Sequence, residues 1–331
     1  MAIDKSYIDL FHKVSVSAAY ASFHMVGKKD KIAADKAAVD AMRNELNKID
    51  MNGQIVIGEG ELDEAPMLYI GEKLGTGDGP SLDIAVDPLE GTNFAANNLP
   101  GALSVIAVAE KSNLFNAPET YMDKIAIATN EKGIVDLDFP IHKNIKNLAD
   151  YKNTLPEKLT ACILDRPRHQ KIIEELKSLN VKLKLISDGD VSGALLVTDE
   201  KYGVDIFLGI GGGPEGVLAA SALDTFNCFF QGKFIFDNEK DKLRAKQMGI
   251  NNFEKKYELN EIVSGDSIFC ATAITSGDLA KGIIVNKNSY SSETLITHKS
   301  SGLKKIYKST NKIWWYQFPV KTGRKYIQIK D

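Results

Sequence analysis

Apolar residues recur along this chain with two different periods, and the change from one to the other outlines its organisation. Between residues 3 and 25, Ile3, Tyr7, Leu10, Phe11 and Val14 follow helical spacing; between 31 and 49, Val39, Met42, Leu46 and Ile49 share one helical face. Gly53 fits a helix stop, so two helices are expected to lead into the first strand. Short unbroken apolar runs follow: Ile55-Val56-Ile57, Ile84-Ala85-Val86 and residues 102–109, all read as buried strands of one sheet. From about residue 155 the pattern becomes regular. LTACIL, HQKIIEELKSLN, VKLKLI, VSGALLV, VDIFLGI and EGVLAASALDTF alternate strand with helix, the signature of a mainly parallel sheet with covering helices. Two α/β units are therefore expected, over residues 1–154 and 155–307. Residues 308–331 form a basic, aromatic tail whose pattern predicts a hairpin turning at Lys321-Thr322-Gly323-Arg324.

Composition narrows the function classes. At 331 residues, with a hydrophobic fraction of 44% and a charged fraction of 26%, the chain is an ordinary globular protein with room for substantial cores. Its net charge of −3 gives no electrostatic case for nucleic acid or an anionic membrane. No apolar run approaches the roughly 20 residues of a membrane span, and the N-terminus lacks a signal-peptide core. Cys162, Cys228 and Cys270 form no CxxC pair and read as small buried hydrophobes. A cytoplasmic protein is expected.

Acidic clusters stand at the ends of the first buried strands. Gly58-Glu59-Gly60-Glu61 follows one, and Asp87-Pro88-Leu89-Glu90-Gly91-Thr92 follows the next. Carboxylates in such places are costly unless a cation meets them. Hard oxygen ligands of this kind suit Mg²⁺ or Mn²⁺, which bridge protein carboxylates to phosphates; the alternative is that they are turn and capping acids. Farther on, each strand exit of the second unit carries chemistry. Arg166-Pro167-Arg168 offers two guanidiniums for bidentate phosphate recognition. Ser187-Asp188-Gly189-Asp190 suits either sugar hydroxyls or a helix cap. Gly211, Gly213 and Gly216 spell GxGxxG between a strand and a helix, with Asp237 about 20 residues on, as in a dinucleotide site. Against that reading, Glu215 sets a negative charge where the pyrophosphate belongs, and the two acidic clusters go unexplained.

GEGELDEAPMLYIGE and DPLEGT resemble the signature segments of class II fructose-1,6-bisphosphatases of the GlpX type, within the wider metal-dependent sugar and inositol phosphatase superfamily. The resemblance covers roughly residues 1 to 307. It implies a layered α-β-α-β-α sandwich of two stacked sheets with covering helices, and a homo-oligomer, dimer or tetramer. It implies two or more Mn²⁺ or Mg²⁺ ions held by Asp35, Glu59, Asp87, Glu90 and Glu215, with Lys31, Glu59 and Thr92 serving catalysis. Asp35 and Glu59 are expected to hold one ion, and the other three acids a second. The implied sugar-phosphate contacts are Glu90, Gly91, Thr92, Tyr121, Arg166, Pro167, Arg168, Asp188, Gly189, Asp190 and Gly212. The expected reaction is hydrolysis of the 1-phosphate of fructose-1,6-bisphosphate by metal-activated water. Activity on sedoheptulose-1,7-bisphosphate, an inositol-monophosphatase-like enzyme and a non-catalytic metabolite-binding protein are the alternatives.

Overall fold

The computed structural model describes residues 2–60 and 67–313. Its helices are α1 (Ser6–Phe23), α2 (Lys31–Leu46), α3 (Thr92–Ala96), α4 (Ile141–Tyr151), α5 (Gln170–Ser178), α6 (Asp190–Leu195), α7 (Gly213–Thr225), α8 (Glu239–Gln247) and α9 (Leu259–Ile262). The early strands are β1 (Asn52–Ile57), β2 (Lys73–Leu74), β3 (Ser81–Glu90), β4 (Leu103–Glu110) and β5 (Tyr121–Ile127). The middle of the chain adds β6 (Thr160–Leu164), β7 (Lys182–Ile186), β8 (Ile206–Gly212), β9 (Phe229–Ile235) and β10 (Lys256–Glu258). The chain closes with β11 (Ser267–Ala273), β12 (Ile284–Val285), β13 (Ser289–His298) and β14 (Leu303–Lys312).

Two mixed sheets result. The first runs β12-β13-β11-β4-β3-β1-β2, with β14 also paired to β13; the second runs β10-β9-β5-β8-β6-β7. Three cores stack through them. One packs α1 and α2 on the first sheet, with Phe11, Met42 and Leu46 against Ile84, Ile106 and Ile268. The second fills the space between the sheets around α6 and α7. The third covers the far face of the second sheet with α4 and α5. The expected α-β-α-β-α layering is what the chain adopts.

Sequence patterns explain the layers. In α4 and α5 the buried residues, Ile145, Leu148 and Ala149 and then Ile173 and Leu176, fall on one face, as suits an outer helix. In α7 the residues from Gly216 to Leu223 are all buried, because that helix lies between two sheets and has no solvent side.

Three local expectations change. The helix before β1 ends at Leu46, and Gly53 lies inside β1, where a Cβ would come within 2.7 Å of Ile84 Cδ1. The second sheet is not mainly parallel: β6 pairs in parallel with β7 and β8, but β5 runs antiparallel to β8 and β9. The sheets also do not divide the chain at residue 154. Strand β5 already belongs to the second sheet, and β11 to β14 return to the first. Local periodicity cannot foresee which sheet a strand joins. Of the tail, residues 308–312 extend β14; the expected hairpin lies outside the described residues.

Candidate active site

Both sheets contribute walls to one cavity of about 490 Å³. From the first come Asp87 and Glu90. They do not sit in a free turn, as their Pro and Gly neighbours suggest, but in the last part of β3, opposite Val105 and Leu103 of β4. Three residues apart on a regular strand, they would point to opposite faces. A register shift between them inserts one extra residue and brings both to the same cavity. Pro88, lacking an N–H, is tolerated at such a bulge. Gly91, with φ +74°, then turns the chain into α3, whose first residue is Thr92. Both line the cavity, as do Glu59, just past β1, and Asp35, on α2.

These carboxylates have little to balance them. Burial, helped by the charges of Asp35, Glu119 and Glu215, pushes Glu59 up to about 8. Burial and then Glu90, Glu59, Glu215 and Asp35 raise Asp87 well above the usual carboxylate range. Glu90 also rises to about 8: burial and the charges of Asp190 and Glu215 outweigh hydrogen bonds from the Val191 and Ser192 N–H groups. Burial raises Asp35 and Glu215 as well, the latter against the opposing charge of Lys124.

The second sheet supplies the rest. After β6, Arg166-Pro167-Arg168 turns into a short 3₁₀ helix, and both guanidine side chains line the cavity. Arg166 lies 3.9 Å from Asp188; Arg168 donates from Nε to Ile210 O at 2.9 Å and stands 4.8 Å from the centre of the Tyr121 ring. His169, fully buried, ties this turn to β8. Its Nδ1 lies 2.7 Å from Leu164 O, and its Nε2 accepts from Ile210 N at 2.7 Å. Accepting at Nε2 fixes the proton on Nδ1 and the ring as neutral. Tyr121, Asp188, Gly189, Asp190, Gly212 and Glu215 complete the lining.

The GxGxxG stretch has a different use from the dinucleotide one. A Cβ on Gly211 would lie 2.4 Å from Asp190 Oδ2, one on Gly212 1.7 Å from Glu215 Oε2, and one on Gly216 3.3 Å from Lys124 Cδ. Of the motif's own glycines, Gly211 makes room for Asp190, Gly213 for Phe234 and the main chain of Pro118 and Thr120, and Gly216 first for Met122 Sδ at 2.7 Å; Gly212, between them, makes room for Glu215. Glu215 folds over the N-terminus of α7, where a pyrophosphate would have to bind.

Sequence reasoning placed every expected residue on this cavity except two. Lys31 is exposed at the start of α2, one turn before Asp35, and does not line it. Pro167 does not line it either; its ring sets the turn that spaces Arg166 and Arg168. Glu61 lies outside the described residues. Two residues were missed. Glu119, before β5, lines the cavity beside Glu59 and had no motif to reveal it. Lys124 is buried in β5 and bonded to Asp190. Its signal was available: in YMDKIAI the lysine is in phase with buried Met122 and Ala126.

Divalent cations fit this donor set. Among the described residues no three His, Cys, Asp or Glu side chains are already gathered at metal-ligand spacing. Yet Glu90 Oε2 is buried with no partner, and eight carboxylates line one cavity, among them Glu59 and Glu90, pushed up to about 8, and Asp87, raised well above its usual range. A divalent cation would balance such an arrangement.

Carboxylates from both sides and a pair of guanidiniums in one cavity between two stacked sheets fit a phosphatase of the metal-dependent class. The chain belongs to the family described as bacterial fructose-1,6-bisphosphatase, glpX-encoded, whose model matches residues 6–311, slightly farther than the resemblance read from the sequence. It is 38% identical over 342 residues to the D-fructose 1,6-bisphosphatase class 2/sedoheptulose 1,7-bisphosphatase of Prochlorococcus marinus (strain NATL1A), covering 99% of this chain and 100% of that one. It is 42% identical over 311 residues to the fructose-1,6-bisphosphatase 1 class 2 of Escherichia coli (strain K12), covering 89% and 92%. Among solved structures, the inositol monophosphatase from Anabaena (Nostoc) sp. PCC 7120 aligns with 59% of this chain and 71% of its own at 12% identity and a TM-score of 0.32, a likeness that carries no weight here. The family is one of metal-dependent phosphatases.

Proposed function

We propose that this chain hydrolyses the 1-phosphate of fructose-1,6-bisphosphate, releasing fructose-6-phosphate and phosphate. The observation that carries the reading is a single cavity with under-compensated carboxylates from the first sheet and Arg166 and Arg168 from the second. A ligand with a phosphate at each end suits both: the acids would hold divalent cations able to neutralise one phosphate, and the guanidiniums would grip the other directly.

Asp35, Glu59, Asp87, Glu90 and Glu215 hold two or more Mg²⁺ or Mn²⁺ ions. Bound there, these cations neutralise the acids, polarise the 1-phosphate and lower the pKa of water. The chain's own groups do the rest. Glu90 accepts at Oε1 from Val191 N at 2.5 Å, which fixes the carboxylate and leaves Oε2 free for a ligand. Thr92 donates its hydroxyl proton to Leu89 O at 3.1 Å, so its lone pairs are left to accept from the attacking water and orient it in line with phosphorus. Arg168, steered by Ile210 O and Tyr121, and Arg166, near Asp188, hold the remote 6-phosphate. Asp188, Asp190 and Gly189 meet the sugar hydroxyls. Lys31, outside the lining, acts by its positive field on the entering bisphosphate.

A longer sugar bisphosphate has one observation in its favour: the Prochlorococcus relative, similar over the whole length, carries both activities in its name. The test is phosphate release from metal-stripped protein with and without Mn²⁺ or Mg²⁺, on fructose-1,6-bisphosphate, sedoheptulose-1,7-bisphosphate and inositol-1-phosphate. Metal-dependent release from the first is the expected result, and the second measures breadth. Folded protein that releases phosphate from none of them with either metal overturns the reading.

A further inference from the structure

Among the described residues near the cavity, Lys124 has a burial that nothing above explains. Only 1% of its side chain is exposed, and it does not line the cavity. A lone ammonium in such a place costs several kcal/mol unless it is paired, so the fold has been arranged around it. Gly216 leaves room for the Lys124 stem, whereas added Cβ atoms on the lysine's cross-strand neighbours Gly209 and Gly232 would meet His169 and Met122. Lys124 pairs across β5 with Gly209 of β8 and Gly232 of β9, and its stem passes Gly216 of α7, whose added Cβ would lie 3.3 Å from Lys124 Cδ. Its ammonium then reaches two acceptors, Asp190 Oδ2 and, at 2.7 Å, Gly212 O.

Both acceptors belong to the cavity wall. Asp190 is 8% exposed and opens α6 at the left-handed Gly189, with φ +83°. One of its oxygens is taken by Lys124; the other, Oδ1, is buried and has no partner. Gly212 is the residue from which α7 and Glu215 start. The same ammonium thus fixes the two chain segments, α6 and the start of α7, that flank the sugar end of the cavity.

We propose that Lys124 is a positioning residue: it holds Asp190 by one oxygen so that the other is presented to a sugar hydroxyl, and so sets substrate affinity without touching substrate. The proposal rests on the sugar-phosphate reading of the site. Without the ammonium, Asp190 Oδ2 is left buried with no partner, so the carboxylate is no longer held in place and the hydroxyl loses its acceptor. The acids from the first sheet, where phosphorus reacts, keep their places.

The test is a double-mutant cycle between Lys124→Met and Asp190→Asn, read by KM and kcat for fructose-1,6-bisphosphate and by calorimetric Kd for fructose-6-phosphate. Lys124→Met should raise KM and Kd roughly tenfold or more, as loss of a charge-assisted hydrogen bond does, and it should lower kcat as well, because Glu215, whose charge Lys124 opposes and whose helix start it holds through Gly212 O, loses that support. In the Asp190→Asn background the same substitution should change neither KM nor Kd, because Lys124 acts on affinity through Asp190. Equal rises in both backgrounds, or no rise in either, overturn the proposal. Should Lys124→Met alone fail to fold, the double variant replaces the charge pair with neutral groups of similar size and still folds. Its Kd should equal that of Asp190→Asn, and a weaker one counts against Lys124. Wild-type protein run alongside separates the two readings. Wild type that neither binds nor hydrolyses these sugars counts against the function, and wild type that binds while the cycle shows no coupling counts against Lys124.

Discussion

Glu90 divides its two oxygens between the fold and the site, Oε1 accepting from the first turn of α6 and Oε2 left without a partner. Several carboxylates around it carry the same conflict. They are buried and mutually repelling in the bare protein, so each is a cost to stability that bound cations remove. Glu59→Gln should therefore separate activity from stability. Hydrolysis should fall by at least about a hundredfold, the scale of losing a group that works only in the transition state. The melting temperature of the metal-stripped protein should rise by a few degrees, as expected when roughly 1 kcal/mol of repulsion is relieved. Near-normal turnover at saturating Mn²⁺ would remove Glu59 from the ligand set. Arg168 has the opposite profile. In the function proposed above it binds the remote phosphate and takes no part at the reacting one, so Arg168→Ala should raise KM about 10- to 100-fold through loss of a charged hydrogen bond. An unchanged KM would put the 6-phosphate elsewhere.

At the scale of elements, the site depends on strands that stop or shift in the right places. The bulge in β3 puts Asp87 and Glu90 on one side, and β6 and β8 bring the arginine turn against Ile210. His169 is the tie between those two strands, accepting from Ile210 N and bonded to Leu164 O. His169→Leu removes the acceptor of the Ile210 N–H, while Leu164 O keeps the Arg166 N–H at 2.9 Å, and the lost acceptor should cost about 1–3 kcal/mol of stability. The arginine turn should loosen with it. We therefore expect KM to rise in the same direction as in Arg168→Ala while kcat stays close to normal. A stable His169→Leu variant with unaltered KM would show that the turn holds itself.

For the whole molecule, the cavity lies between the two sheets, so filling it joins them. Cations and a bisphosphate bound there should stabilise the entire chain and not one lobe alone. Adding Mn²⁺ to metal-stripped protein at about a hundred times its Kd should raise stability by roughly 2.7 kcal/mol. Scanning calorimetry should show one cooperative transition moving upward. Two transitions, of which only one responds to metal, would show that the shared core between the sheets does not couple them.

How much of this could be read from the sequence follows from what is local. The two leading helices, the inner strands of the first sheet, the alternation after residue 155 and the amphipathic faces of α4 and α5 all rest on spacing within one element. Glu59, Asp87, Glu90 and the arginines are legible too, because Gly- and Pro-rich surroundings mark strand ends and because their chemistry demands partners, whereas Asp35, on a helix, is marked only by the family resemblance. Tertiary structure decided what depends on residues far apart in the chain. It assigned β5 to the second sheet and β11 to β14 to the first, and it turned DPLEGT from a turn into a bulged strand. It left Lys31 exposed and outside the lining, added Glu119 to the wall and buried Lys124 against Asp190. The physical reason is common to all of these. Periodicity reports which face of an element is apolar, but the partner that face meets, and the charge that can be balanced there, exist only after distant strands have come together.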